Sequence, residues 1–401
     1  MTTRSRIDLR IAVAFCAAIG LYDVLYVIFE WSRGPQIGLV IDPFPDFLVF
    51  HAAARAFFEG KLAMVYNTDA FTRYQAEILS GLIAPAARFR PFVYPPIWLL
   101  MLLPFGLMAA TKAYAAFMSA SAAAATVAEG RHDPWGWLAV LLSPAAAWMV
   151  LAGQNTFLSI AFLYGGLRLL DRSPAAAGIL LGLLSYKPQI SILAPLALLA
   201  ARQWRALAWS LGTVAALSLA SLALFGLDFW LAFFEVARDA GSRHLMDDML
   251  ELMIFQMTTL LAAARLLALP LVAAMAIQLM GALLAVAAVW HAFRHYGSSD
   301  ARTAVLVTAI FLISPYMLNY ELLLLMPAVV AMFRQGARQG FHPGERLVLA
   351  AMWLIPTTIG MILNRAGLPI MPLVILLFGA IAWARLKAQP KVELPSVATA
   401  G

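Results

Sequence analysis

Long apolar runs, separated by short basic or Gly/Pro-containing turns, recur along this chain from end to end. Of its 401 residues, 63% are hydrophobic and 12% are charged, and the mean hydropathy is +0.83. A soluble core cannot absorb so much apolar surface. Because every backbone polar group must be hydrogen-bonded within the protein in lipid, the runs predict helices. We expect an all-α, polytopic membrane protein.

The orientation of these helices depends on the segment 91–110, which is long enough to span but contains four prolines. If this segment lies in the outer interface, the basic turns between later spans fall on the cytoplasmic side, as the positive-inside rule requires. We therefore expect about twelve transmembrane helices in a bacterial inner membrane, with both termini cytoplasmic. The net charge of +7 then reports orientation and not a nucleic-acid partner.

The chain is expected to form one transmembrane domain over residues 1–388, followed by a disordered cytoplasmic tail over 389–401. Two connections are long, 30–110 and 227–269, and we expect interfacial helices in both of these periplasmic loops. The sequence leaves two alternatives open for the segments 91–110 and 174–200. Each is either a fully spanning helix or an interfacial or split one.

This topology gathers the unusual polar residues on the periplasmic side. The candidates from the two loops and three tight turns are Asp42, Asp46, His51, Arg90, Tyr94, Gln154, Asn155, Lys187, Arg243, His244, Tyr320 and Glu321.

Each candidate also has a structural interpretation. Asp46 follows two prolines and can cap a helix, as can the pair Gln154 and Asn155. Lys187 lies between two apolar half-spans, directly before a proline, where it must snorkel, pair or bind an anion. Glu321 can cap the helix that follows it.

Recognised catalytic and cofactor motifs are missing from the chain. It has no GxSxG, HExxH, Walker loop or GxGxxG pattern, and no convincing metal-ligand spacing. The chemistry is expected to use a carboxylate and cations, without a metal or an organic cofactor.

The order of several short motifs resembles that of a known superfamily. An aspartate soon after the first span is followed by "AARAFFEGKLAMVYN", "YPPIWLLMLLPFGLM", "GQNTFLS", "GILLGLLSYKPQ" and "SPYMLNYELLLL". The chain resembles the GT-C superfamily of polyprenyl-phosphate-sugar-dependent glycosyltransferases. Within it, the chain is similar to glycosyltransferase family 87, of the polyprenol-phosphate-mannose-dependent α-mannosyltransferase type. Where that family often has "YD" after the "SP" turn, this chain has Tyr320-Glu321.

The resemblance implies inverting transfer of a sugar, with mannose first, from a polyprenyl-phosphate donor to a lipid or glycan acceptor at the periplasmic face. The position that matches the catalytic acid of the superfamily is Asp46, with Asp42 second, and no metal is expected. Lys187, Arg243 and Arg90 would bind the donor phosphate. The residues expected to bind sugar or acceptor are His51, Tyr94, Gln154, Asn155, His244, Tyr320 and Glu321. The alternative from another class is a transporter or flippase of a lipid-linked sugar.

Overall fold

The computed structural model describes residues 18, 21, 22, 25, 45–79, 91–130, 133–240, 253–356 and 358–391. Within these ranges the chain is α-helical and contains no β-strand. The helices are α1 Pro45–Phe58, α2 Thr68–Ile78, α3 Pro96–Gly106, α4 Ala110–Ala125, α5 Pro134–Leu141, α6 Pro144–Ala152, α7 Thr156–Leu169, α8 Pro174–Leu183, α9 Pro188–Ser191, α10 Leu193–Ala200, α11 Trp204–Phe225, α12 Leu227–Ala240, α13 Leu260–Leu266, α14 Leu271–His295, α15 Asp300–Ile313, α16 Met326–Gln339, α17 Glu345–Leu354, α18 Thr358–Arg365 and α19 Met371–Lys387.

Shorter helical turns connect some of these helices: 3-10 turns at Leu62–Met64, Leu184–Tyr186, Ile254–Gln256 and Asn319–Leu325, and a π-turn at Thr126–Gly130. Most of the expected first span, and residues 392–401 of the expected tail, lie outside the described residues. The structure therefore does not test the prediction of a disordered tail.

Among the described helices, α11 and α14 are long and apolar enough to cross a membrane, and the number within the described residues rises to five if each of three bent helix pairs counts as one span. Both long helices expose large apolar side chains: Leu219 is 65% exposed on α11, and Val272 is 81% exposed on α14. Such surfaces suit lipid and not water. The described helices thus indicate a membrane-embedded protein, whereas the expected count of twelve spans stays a prediction.

The proline-rich segment 91–110 does not form one straight helix. Helix α3 begins at Pro96, because a proline at the first helical position needs no hydrogen-bond acceptor. It has 11 residues, a length of about 16 Å at 1.5 Å per residue, against a hydrocarbon core of about 30 Å. The next helical stretch leaves at 116°. The segment is therefore not one straight span, and its expected interfacial position stays a prediction.

The segment 174–200 is split, which decides between the two alternatives that the sequence left open. Helix α8 tightens into the 3-10 turn Leu184–Tyr186, and Lys187 then leaves helical geometry, with φ −130° and ψ 79°. Pro188 starts the next helix. Because proline lacks an N–H and clashes with the preceding turn, it cannot continue α8. The break leaves Lys187 on non-helical backbone.

Two glycines bring α8 and α11 into close contact. A Cβ atom at Gly178 would lie 2.2 Å from the carbonyl oxygen of Ala206, and one at Gly182 would lie 2.6 Å from the carbonyl oxygen of Ser210. This small-xxx-small spacing lets two apolar helices approach backbone to backbone, which is a common source of packing energy in membranes. The contact anchors the half-helix that ends at Lys187.

We predict that Gly182→Ala destabilises the protein by about 1–3 kcal/mol, because the added methyl group forces α8 away from α11. Gly212→Ala on α11 is the matched control, since nothing lies within 4 Å of a Cβ there; the better helix propensity of alanine should leave that variant unchanged or slightly more stable. Thermal unfolding of the detergent-purified protein measures both. Equal unfolding temperatures for the two variants would contradict the close contact.

Candidate active site

Seven polar side chains from distant parts of the chain meet in one buried cluster, here called the polar cluster. Its members are Asp46, Tyr94, Gln154, Asn155, Lys187, Tyr320 and Glu321, joined by hydrogen bonds or ring contacts. They come from the start of α1, the irregular segment before α3, the α6–α7 turn, the α8–α9 break and the 3-10 turn before α16. The structure thus brings together seven of the twelve expected site residues.

Helix α6 ends in a turn that directs Gln154 and Asn155 into the cluster. Gly153 adopts φ +73°, a left-handed conformation that favours glycine. The N–H of Gly153 donates to the carbonyl of Val150 at 3.0 Å, and the N–H of Gln154 donates to that of Met149 at 3.1 Å. These two bonds form a Schellman motif, which closes α6 and fixes the direction in which the chain leaves.

Asp46 lies in the first turn of α1 and is partly exposed. Its Oδ2 accepts a hydrogen bond of 2.8 Å from Nε2 of Gln154, a residue 108 positions further along the chain. Burial raises the pKa of Asp46 to about 6, although the Gln154 hydrogen bond and the positive charge of Lys187 both act in the opposite direction. A carboxyl group with this pKa is largely ionised at neutral pH but remains basic enough to accept a proton.

Lys187 forms a buried ion pair with Glu321, and their side chains are 2% and 3% exposed. The ammonium group also donates to Oδ1 of Asn155 at 2.8 Å, and Thr156 Oγ1 donates to Oε2 of Glu321 at 3.1 Å. Lys187 therefore does not snorkel. Its anionic partner in this structure is a residue of the protein itself. Glu321 is engaged by side chains from two other elements, so its carboxylate has more than a capping role.

A stacked pair of aromatic rings supports the cluster from one side. Trp98 stacks on Tyr186 at 4.6 Å between ring centroids, with an interplanar angle of 26°. The hydroxyl of Tyr186 lies 2.8 Å from Oγ of Ser159 and donates to the Asn155 carbonyl at 3.3 Å. Sequence reasoning missed Thr156 and Ser159 as parts of the site. Their only signal was their place within "GQNTFLS", directly after the two amides.

His51 is not part of the polar cluster. It lies five residues beyond Asp46 on α1, about one and a half helical turns away. Its side chain is 1% exposed, and its Nε2 lies 2.9 Å from the carbonyl oxygen of Met108. Burial lowers its pKa, which favours the neutral ring. The structure gives His51 a packing role between α1 and the turn after α3.

The remaining four candidates, Asp42, Arg90, Arg243 and His244, lie outside the residues that the structure describes. Within the described ranges, no group of three or more His, Cys, Asp or Glu side chains is placed to hold a metal ion. The expected absence of a metal stays a prediction.

A family model for glycosyltransferase family 87 matches residues 92–315, which is more than half of the chain. The chain belongs to glycosyltransferase family 87. No curated protein and no solved structure matches it. The protein is therefore a glycosyltransferase, as the resemblance implied. The family 87 match includes Tyr94, Gln154, Asn155 and Lys187, whereas Asp46 precedes it.

A separate cavity of about 520 Å³ lies away from the polar cluster. It is lined by three arginines and three acidic residues, namely Arg168, Arg334, Arg338, Glu129, Asp133 and Asp300. Arg168 pairs with Glu129 at 2.6 Å, and Arg334 pairs with Asp133, while Arg338 and Asp300 are exposed. Because opposite charges are present in equal number and four of the six are paired with each other, this cavity offers, among its described residues, no unpaired buried charge for glycosyl transfer.

We predict that Glu321→Gln costs about 3–5 kcal/mol of stability, because it leaves the Lys187 ammonium group buried without its counter-charge. The double variant Lys187→Met/Glu321→Gln should recover part of that loss. Glu59→Gln is the control: it weakens the exposed pairs that Glu59, directly after α1, forms with Arg55 and Lys61, and it should cost at most about 1 kcal/mol. Denaturation of the purified protein measures all three. A Glu321→Gln variant as stable as Glu59→Gln would contradict the burial of this pair.

The raised pKa of Asp46 also predicts how its substitution affects stability with pH. Because the folded protein disfavours the charged form, the wild type loses stability as the pH rises from about 4, the ordinary value, to about 6. Asp46→Asn cannot ionise, so its unfolding temperature should exceed that of the wild type above pH 6, with the difference shrinking towards pH 4. A difference independent of pH would contradict the raised pKa.

Proposed function

We propose that this family 87 enzyme transfers mannose, with inversion, from a polyprenyl-phosphate donor to a lipid or glycan acceptor. The reaction takes place at the periplasmic face of the inner membrane, in a protein of about twelve transmembrane helices with cytoplasmic termini. The sugar and the donor follow from the family resemblance. The side of the membrane follows from the distribution of basic turns in the sequence.

The observation that carries this proposal is the hydrogen bonding of the two oxygens of the Asp46 carboxylate. Gln154 occupies Oδ2, and no described residue donates a hydrogen bond to Oδ1. One oxygen is thus held in place, and the other, which has no donor among the described residues, can receive a proton. This is what a general base for an acceptor hydroxyl requires: a fixed orientation, partial burial and a pKa close to the working pH.

In the proposed step, Oδ1 of Asp46 takes the proton of the acceptor hydroxyl as that oxygen attacks the anomeric carbon of the donor sugar. The bond between this carbon and the phosphate oxygen breaks on the opposite face, and its electron pair leaves with the lipid phosphate. Attack and departure on opposite faces invert the anomeric configuration. The carboxylic acid then loses its proton to solvent.

The departing lipid phosphate gains negative charge, which cations stabilise. Well-placed donors contribute roughly 3–4 kcal/mol each to such a transition state. The ion pair with Glu321 offsets the charge of Lys187, so the proposal gives the leading part to Arg90 and Arg243. Lys187 then contributes to catalysis through the electrostatic field of its ammonium group and through its hydrogen bond to Asn155. Tyr94, Asn155, Tyr320 and His244 are proposed to contact sugar or acceptor hydroxyls.

We predict that Asp46→Asn lowers transfer by at least about 100-fold, which is the usual contribution of a general base. The assay follows label from polyprenyl-phosphate-mannose into lipid or glycan in membranes that contain the variant. Asp69→Asn is the matched control, since Asp69 is an exposed aspartate in the first turn of α2, within the same predicted loop. Wild-type activity in Asp46→Asn would reject the base.

The same assay distinguishes the sugar and the alternative class. Polyprenyl-phosphate-glucose and polyprenyl-phosphate-arabinose, offered separately, should give little product if mannose is the substrate. A flippase would move the labelled donor across the membrane without forming a new glycosidic bond. Movement of label with no product would therefore reject glycosyl transfer by this site.

A further inference from the structure

The side-chain amide of Gln154 is the junction of the polar cluster. Its Nε2 donates to Oδ2 of Asp46 at 2.8 Å and to the hydroxyl of Tyr320 at 3.1 Å. Its Oε1 accepts from the hydroxyl of Tyr94 at 3.2 Å and from the backbone N–H of Asn155 at 3.3 Å. The residue is 3% exposed.

These four bonds exhaust what the group can offer. A primary amide has two N–H donors and an oxygen with two lone pairs, and all four are used within the protein. The direction of the amide is also determined, because an ionised carboxylate only accepts and so must face Nε2. Gln154 has no free donor or acceptor for a sugar hydroxyl, although the sequence analysis expected it to bind one.

We propose that Gln154 is a positioning residue for the base: it holds Oδ2 of Asp46 so that Oδ1 faces the acceptor hydroxyl. This inference rests on the proposed function, in which Asp46 is the base. It changes the role of Gln154 from ligand to support. Tyr94 and the left-handed turn at Gly153 support the same positioning, since both fix the side-chain amide of Gln154.

The hydrogen bond from Gln154 acts on the charged form of the carboxylate. A neutral donor to an ionised oxygen stabilises that ion and lowers its pKa, against the effect of burial. Among the described residues, the charged and titratable groups that face Asp46 from the other elements are Lys187, Glu321, Tyr94, Tyr316 and Tyr320. All five are unchanged when only Gln154 is replaced, so a shift in the pH profile reports the amide alone.

The test compares the pH dependence of kcat/KM for donor transfer in the full-length wild type and Gln154→Met, which keeps the chain length of the side chain but removes the amide. The acidic limb of the profile of kcat/KM against pH, which reports ionisation of Asp46, should move in the variant from near pH 6 upward by about one pH unit. A further loss of about tenfold to 100-fold in kcat should persist above the limb, because the carboxylate is no longer oriented. The KM values should change little.

Two further variants keep the result interpretable. Gln278→Met removes a buried amide of α14, which bonds to Leu261 and Leu312 at 3.1 and 2.8 Å; it should lower stability without moving the limb. Tyr94→Phe removes the hydroxyl that donates to the Gln154 oxygen and leaves the other three bonds of the amide in place. It should move the acidic limb in the same direction by less, whereas loss of its proposed substrate contact would raise KM, so it replaces Gln154→Met if that variant does not fold.

Three outcomes distinguish the positioning role of Gln154 from the proposed base role of Asp46. An unmoved limb with a raised KM for donor or acceptor would overturn the inference and make Gln154 a ligand. An unmoved limb in both Gln154→Met and Tyr94→Phe, with Asp46→Asn inactive, would overturn the inference and leave the proposed function intact. An active Asp46→Asn would reject the base itself, whatever Gln154 does.

Discussion

The buried ion pair between Lys187 and Glu321 holds the site together, because it joins three places where the backbone is not regular α-helix. Lys187 lies in the break before α9, Glu321 lies in the 3-10 turn before α16, and Asn155 and Thr156 at the start of α7 bond to one partner each. An unpaired charge at this depth is expensive, whereas a pair with additional hydrogen bonds is tolerated. The ion pair and its two hydrogen bonds therefore couple the three breaks to one another.

Such breaks have a chemical use in a protein of this composition. Regular helices satisfy their own backbone groups and present mostly hydrocarbon, so a membrane protein gains polar chemistry where helices start, end or split. Pro188 and the left-handed Gly153 create two of these places. Each break exposes one or two polar residues, and the fold brings them into contact, which yields amide, ammonium, phenol and carboxylate groups in one small volume.

The sequence allowed the helical class, the turn around Gln154 and the family to be predicted, and it offered the split at Lys187 as one of two alternatives. Proline chemistry and apolar periodicity are local, and short motifs in order are enough to recognise a family. The pairing of side chains could not be predicted in the same way. Lys187 and Glu321 are 134 positions apart, and the fit between them depends on how α7, α8 and α16 pack. The same limit explains why His51 was included, since its distance from Asp46 on α1 was known but the neighbour it faces was not.

The boundaries of the family match divide the cluster by charge. The matched stretch, residues 92–315, carries the lysine and the amides, whereas both carboxylates, Asp46 and Glu321, come from the flanks on either side. The shared part thus holds a positive charge and a set of neutral hydrogen-bonding groups, and the flanks supply the negative charges: Glu321, the counter-ion of Lys187, and Asp46, the proposed base. A fragment limited to the matched stretch would keep the Lys187 ammonium group without its counter-ion and would lack the proposed base.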